Sequence, residues 1–310
     1  MRFALLSDCH LCVDKPVGRL DGDMLQVGIN KLTQVFEMSA DQGVTYILQA
    51  GDFVDIKRSW ELLSTLSKFL EAWKKKGITL CCVLGQHDSY YHDMTNEKTI
   101  MGVLISTGLI KRLNHKPLIS NDNIMAVYGS SFGEEIPQAK PTHRNILVCH
   151  RQILMKKIWN KQEDYEYAPA FLKQHNNYDL ILCGDAHQKF DFKLDNNKII
   201  CNSGPLMRLE ATDAMIEHQP GFYIYDLKKT KSLSWHNINA KRGDEVLSKE
   251  HIAIQKMRKQ NFDDFIGKIQ EVDGKNQSLD FNQNLQMIIK QSNAGVDIKH
   301  KISEYLAKGA

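Results

Sequence analysis

Residues 45–55 read TYILQAGDFVD: an apolar run of strand length, Thr45 to Gln49, then a glycine and two carboxylates in Gly51-Asp52-Phe53-Val54-Asp55. A short apolar run of this kind fits one strand of a buried sheet, and the glycine lets the backbone turn sharply at its carboxyl end. The arrangement recurs along the chain. Phe3 to Ser7 runs into Asp8-Cys9-His10, and Leu80 to Leu84 into Gly85-Gln86-His87-Asp88. Ile146 to Cys149 runs into His150, and Leu180 to Cys183 into Gly184-Asp185-Ala186-His187. Side chains placed just past the carboxyl ends of strands converge in one crevice of an α/β sheet. One such cluster means little, because an aspartate after a strand often only caps a helix or makes a turn. Five in succession, built from carboxylates, an amide and imidazoles, imply one shared site.

The segments between them support that placement. Leu25, Ile29, Leu32, Val35 and Phe36 have helical spacing, as do Leu63, Leu66, Leu70 and Trp73 within Trp60 to Trp73. Ile124 to Tyr128 is a further strand candidate. Strands alternating with helices predict an α/β fold. Past Asp185 the pattern changes. Phe190 to Leu194 and Ile199 to Asn202 flank Asp195-Asn196-Asn197, while Phe222 to Leu227 and Leu233 to Ile238 flank Lys228-Lys229-Thr230-Lys231. Both read as hairpins, so the sheet is expected to finish with antiparallel strands. From about Lys241 the strands stop. Phe262, Phe265, Ile266 and Ile269, then Phe281, Leu285, Ile288 and Ile289, then Ile298, Ile302, Tyr305 and Leu306 fall at amphipathic-helix spacing. The expected division is therefore 1–240 for the strand-rich domain and 241–310 for a small helical C-terminal region.

Composition excludes little. Of 310 residues, 42% are apolar and 25% charged, and 40 Lys and Arg against 37 Asp and Glu leave a net charge of +3. That balance is ordinary for a globular protein and argues neither for nor against a nucleic-acid partner. No run approaches the roughly 18 apolar residues of a membrane span. Met1-Arg2 leads straight into a strand pattern, so no secretory leader is expected. Most of the seven cysteines lie in or beside strand-like runs and read as buried thiols in a reducing compartment. Cys9 and Cys12 lack the second pair a zinc site needs. A cytoplasmic protein is expected.

The converging residues suit two divalent metal ions. Asp52 is the natural bridge. Asp8, His10 and His187 complete one position; Gln86, His150 and Asp185 complete the other. A hydroxide held between the ions is then the nucleophile for phosphorus. His87 is placed to protonate the leaving oxygen or to stabilise phosphoryl charge, and Asp88 to orient its imidazole. Asp55 reads equally as a ligand and as a capping or supporting group. Arg58, Lys189 and Arg208 are candidates for holding a phosphate backbone. The histidines outside the motifs, His218 and His236 among them, read as bystanders.

The order D-x-H, G-D-x-x-D, G-N-H-[DE], H, G-H-x-H is that of the calcineurin-like metallophosphoesterase superfamily, which this chain resembles over residues 1 to about 205. Within it the chain looks most like the SbcD-type nuclease subunits, including phage-encoded forms. The DCH opening, CGDAHQKF at 183–190 and NSGPLMRLEATD at 202–213 carry that likeness. The resemblance implies a β-sandwich flanked by helices, and a DNA exonuclease and endonuclease of recombination and repair. It also implies a homodimer, with Trp60 to Trp73 and Thr95 to Ser106 as contact helices, and C-terminal helices that dock on an SbcC-type ATPase. Two positions depart from the pattern: Gln86 stands where Asn is usual, and Asp185 where His is usual. The extra carboxylate favours Mn²⁺ or Mg²⁺ over Zn²⁺. Two other functions fit the same motifs: a phosphatase or phosphodiesterase for proteins, nucleotides or small esters, and a scaffold that keeps the fold without turnover.

Overall fold

The computed structural model describes residues 1–55, 58–89, 98–119, 125–141, 144–157, 164–227, 233–250 and Ile289. In chain order the elements are β1 (Arg2–Leu6), α1 (Met24–Asp41), β2 (Tyr46–Ala50), α2 (Trp60–Lys75), β3 (Thr79–Val83), α3 (Ile100–Ser106), β4 (Ile110–Arg112), β5 (Leu118–Ile119), β6 (Met125–Ser130) and β7 (Arg144–Arg151). There follow β8 (Ile153–Leu154), β9 (Glu166–Tyr167), α4 (Ala168–Gln174), β10 (Leu180–Asp185), β11 (Phe190–Lys193), β12 (Ile199–Asn202), α5 (Asp213–Glu217), β13 (Gly221–Asp226), β14 (Leu233–Asn237) and α6 (Gly243–Val246).

The strands form two six-stranded sheets, ordered β14-β13-β1-β2-β3-β4 and β11-β12-β10-β7-β6-β5. In the first, β1 to β4 run parallel, with β13 and β14 antiparallel at one side. In the second, β6, β7, β10 and β12 run parallel between antiparallel β5 and β11. The two expected hairpins thus finish different sheets: β13 and β14 pair in the first, β11 and β12 in the second. The residues of the β13–β14 turn, 228–232, lie outside those described.

Alternation within each strand explains the layering. In β1, Phe3 and Leu5 point into the core between the sheets, and Ala4 and Leu6 point to the opposite side. Leu48 and Ala50 of β2, Val148 of β7 and Leu182 of β10 fill the same inter-sheet core. The outer face of the first sheet is covered by Leu32, Val35 and Phe36 of α1 and Leu62, Leu66 and Leu70 of α2. The outer face of the second takes Phe171 and Leu172 of α4. Strands covered on both faces read as near-continuous apolar runs, which is why they were visible in the sequence. Burying each inter-sheet valine or leucine contributes about 1.5–3 kcal/mol.

Both long helices start on side-chain caps: Asp23 accepts from Gln26 N–H at 2.8 Å, and Ser59 from Leu62 N–H at 3.2 Å. All seven cysteines are buried thiols. No helix among the described residues is long and apolar enough to cross a membrane.

By contacts the chain divides into Met1–Ser248 and Lys249–Ala310. In the first unit, α6 and the residues after it pair with the loop after β1: Leu20 N–H donates to Val246 O, and Ser248 N–H to Gly18 O. The amphipathic spacings at 262–306 fall outside the described residues, apart from Ile289, which is helical and buried.

Candidate metal centre

Every expected ligand lies at the same end of the sandwich, at or just past the carboxyl ends of β1, β2, β3, β7 and β10. Asp8, Asp52 and Gln86 come from the first sheet; His150, Asp185 and His187 come from the second. His150 continues the inward row of Ile146 and Val148, so strand alternation alone aims its ring between the sheets. Its ring lies where side chains of Gly51 and Gly184 would be: a Cβ at either would overlap imidazole Nδ1. His10, Asp52 and Asp185 take φ of 49°, 51° and 78°, in the left-handed region. Such strain persists where surroundings over-determine it, and here it gathers at one crevice.

The donors meet in two linked groups. His10 Nε2 lies 2.9 Å from His187 Nε2, and Asp8 Oδ1 lies 4.0 Å from the latter. On the other side His150 Nε2 lies 2.8 Å from Gln86 Oε1, 3.3 Å from Asp52 Oδ2 and 3.8 Å from Asp185 Oδ1. Gln86 Nε2 donates to Asp185 Oδ1 at 2.8 Å. The sets Asp8, His10, His187 and Asp8, Asp52, His150 each bring their ligand atoms within 4.8 Å of one another.

Three observations show that these residues fit divalent cations. First, Asp8 is fully buried; Oδ1 accepts from Asp185 N–H at 2.9 Å, but buried Oδ2 has no hydrogen-bond partner among the described residues. Burial pushes this carboxyl up to about 6. Second, His150 Nδ1–H donates to Ala50 O at 2.6 Å, which directs Nε2 at the oxygens of Gln86 and Asp52. A ring fixed by a carbonyl on one nitrogen and directed at a cluster by the other is the arrangement of a metal-ligating histidine. Third, the cluster is over-supplied with negative charge. Burial pushes His150 down, yet the carboxylates of Asp52, Asp8 and Asp185 outweigh it and hold the imidazole at about 10. Burial pushes Asp52 up, but His150, His10 and His87 hold it below the usual carboxylate range.

His87 lies at the rim with its side chain 45% exposed, and its Nδ1 is 2.8 Å from Asp55 Oδ1. The same oxygen lies 3.2 Å from His10 Nδ1. Asp55 therefore orients both imidazoles, the part expected of Asp88. Asp88 instead is buried beneath the loop and accepts from Val54 N–H at 3.1 Å and Gly85 N–H at 2.9 Å. Both of its oxygens are thus taken by backbone donors, and the imidazole of His87 is held by Asp55. The hydrogen bond to Asp55 raises His87 above its ordinary value. Burial opposes ionisation of Asp55, but its bonds to His10 and His87 hold it far below the carboxylate range.

The three basic candidates separate. Arg208 is buried, donating to His218 O and Lys241 O, so it braces a loop and does not face solvent. Lys189 is exposed, with its ammonium 3.9 Å from the centroid of the Trp235 ring. Arg58 is exposed at the entry to α2. His218 and His236 stay outside the site: half-buried His218 Nε2–H donates to Pro205 O at 2.8 Å, and His236 stacks on Phe222.

Sequence reasoning missed the strap behind the site. Ser7 N–H donates to Ser203 Oγ at 2.7 Å and Ser203 N–H returns to Ser7 Oγ at 3.1 Å, while Ser7 Oγ–H donates to Cys183 O. Asn202 Nδ2 donates to Ala186 O at 2.6 Å, and Leu206 N–H to Asp8 O at 2.9 Å. These bonds tie the loops of Asp8 and Asp185 together. The only signal for them was the polar Asn202-Ser203-Gly204 turn in an otherwise apolar stretch.

A sandwich that brings carboxylates, imidazoles and an amide from both sheets to one strand-end crevice defines a binuclear metal centre of the kind that acts on phosphate esters. The chain belongs to the calcineurin-like phosphoesterase family, whose model matches residues 1–189. It is 20% identical over 251 residues to Exonuclease subunit 1 of Enterobacteria phage T4, covering 76% of this chain and 69% of that protein. Among solved structures it is similar to a dimetal phosphatase from Danio rerio at 9% identity and a TM-score of 0.48, covering 76% of this chain and 96% of that one. It is also similar to the protein TT1561 of Thermus thermophilus, at 13% identity and a TM-score of 0.46, covering 77% of this chain and 99% of that one.

Proposed function

We propose that the chain is a manganese-dependent DNA nuclease subunit, an exonuclease and endonuclease of the SbcD type that hydrolyses phosphodiester bonds. The observation that carries the chemistry is the buried Asp8 Oδ2, without a hydrogen-bond partner among the described residues, in a crevice whose rim histidine is already aligned by a carboxylate. The choice of DNA is supported by the similarity to the phage exonuclease subunit. Asp8, His10, Asp52 and His187 would hold one ion, and Asp52, Gln86, His150 and Asp185 the other. When bound, the two ions supply Lewis acidity toward the phosphate ester and toward water.

The protein's own groups do the rest. His87 donates Nδ1–H to Asp55, which leaves its Nε2 at the exposed side of the ring. Asp55, held ionised, raises that imidazole above its ordinary value, which favours the protonated ring and an Nε2–H for the departing oxygen. Lys189 and Arg58, both exposed, would hold the flanking phosphates. The segment 249–310, with its amphipathic spacing, would bind an SbcC-type ATPase, and α2 and α3 would contact a second copy of the chain.

The test is hydrolysis of end-labelled linear double-stranded DNA with Mn²⁺, beside a small phosphodiester, with Asp52→Ala as control. DNA cleavage abolished in the variant is the expected result. Turnover of the small ester alone would replace the nuclease reading with a phosphodiesterase. If the chain also binds no metal, it is a scaffold.

A further inference from the structure

The two residues that depart from the family pattern touch each other. Gln86 Nε2 donates to Asp185 Oδ1 at 2.8 Å, and the amide oxygen is thereby turned toward His150 Nε2, also at 2.8 Å. The amide has its nitrogen on the carboxylate side because an amide oxygen there would repel Asp185. Asn at position 86 would be one methylene shorter and would not span both partners from the same backbone. Imidazole at 185 would reach further than the carboxylate and would not present the same acceptor to an amide N–H. The longer amide and the shorter acid are complementary in length and in hydrogen-bonding sense.

We infer that Gln86 and Asp185 form one coupled unit that selects the ion at the second metal position, favouring an oxygen-seeking dication there and disfavouring zinc. This rests on the two-metal reading above. The positions differ in their private donors. On that reading His10, His187 and Asp8 would give the first position two imidazoles, whereas Gln86, Asp185 and His150, which lie together, would give the second two oxygens and one imidazole, with Asp52 shared. Zinc prefers nitrogen and sulfur in a four-coordinate shell, while manganese and magnesium accept oxygen-rich, octahedral shells. Selection is therefore local: the first position tolerates zinc and the second does not. The hydrogen bond means that neither residue performs its part alone.

Titration calorimetry of the full chain with Mn²⁺ and with Zn²⁺ tests this, on the wild type, Gln86→Asn, Asp185→His and the double variant. The wild type should bind two Mn²⁺ per chain, with its second Zn²⁺ weaker than its second Mn²⁺ by about tenfold or more. Each single substitution should weaken the second Mn²⁺ by about 10–100-fold, the usual effect of losing a partner that orients a ligand. The double variant should recover most of that loss and turn its second position toward zinc. Losses that multiply in the double variant would overturn the coupling. Equal filling of the second wild-type position by zinc and manganese would overturn the selection, and that comparison needs no variant to fold. Fewer than two ions in the wild type would instead overturn the two-metal reading, and the pair with it.

Discussion

Asp55 shows how much rests on one oxygen: its Oδ1 faces His87 Nδ1 at 2.8 Å and His10 Nδ1 at 3.2 Å. Asp55→Asn should lower kcat by about 100-fold or more, the scale of a mispositioned general acid. The chain should still take up Mn²⁺, because Asp8, Asp52, Gln86, His150, Asp185 and His187 make no contact that depends on Asp55. Asp88→Asn should act in the opposite way. It leaves Gly85 or Val54 N–H without its acceptor in a buried turn and should cost about 1–3 kcal/mol of stability in a denaturant melt. Loss of activity in Asp88→Asn at unchanged stability would restore the role first expected of it. His150 links the site to pH. Its folded-state value is raised to about 10, so its contribution to apo stability is full below its ordinary value near 6.5 and is lost as pH rises through 10. A metal ion needs the neutral ring, so binding expels this proton. Between pH 7 and 9 the logarithm of Mn²⁺ affinity should therefore climb by about one per pH unit, and His150→Gln should flatten the slope. The convergence of the candidate ligands was legible in the sequence because each follows an apolar run. The pairing of Asp55 with two histidines was not, because that contact spans three separate loops.

At the scale of elements, a basic residue in sequence says nothing of which way its loop turns. Arg208 follows the polar Asn202-Ser203-Gly204 turn and looked like a phosphate contact, yet it is buried. The loop between β12 and α5 folds back over α1. Lys31 Nζ donates to Leu206 O at 2.8 Å, Arg19 Nη1 donates to Arg208 O at 2.8 Å, and Arg208 donates to His218 O. Cations here satisfy loop carbonyls that β12 and α5 leave without partners. Arg208→Met should therefore lower stability by about 1–3 kcal/mol while leaving the salt dependence of DNA binding unchanged. Lys189→Ala should do the reverse, weakening binding across sequences and reducing the salt slope by about one. A reduced slope for Arg208→Met in filter binding across salt concentrations would put that arginine back on the DNA. The strands and the two long helices could be read from their apolar spacing. The short β4, β5, β8 and β9 could not, because two or three residues carry no period.

At the scale of the molecule, the candidate metal centre spans the two sheets. Asp8, Asp52 and Gln86 arrive on the first, His150, Asp185 and His187 on the second, and the inter-sheet core of Leu5, Leu48, Val148 and Leu182 holds their registers fixed. Without cations, the buried carboxylates of Asp8 and Asp52 repel each other at the end of the first sheet, and the imidazole of His150 from the second sheet, with that of His10, offsets them. Ions that bind the folded form alone stabilise it by RT ln(1 + [L]/Kd), about 2.7 kcal/mol per site at 100 times Kd. For a domain of this size each kcal/mol is worth about 2–4 °C, so saturating Mn²⁺ should raise Tm by about 10 °C or more over the chelated protein. Every proposed ligand precedes Ser248, where contacts divide the chain. A truncation to residues 1–248 should therefore keep the whole Mn²⁺-dependent shift in Tm, whatever it loses in partner binding. A truncated chain that melts cooperatively but no longer responds to Mn²⁺ would mean that the C-terminal segment completes the centre, and that the two sheets alone do not make it.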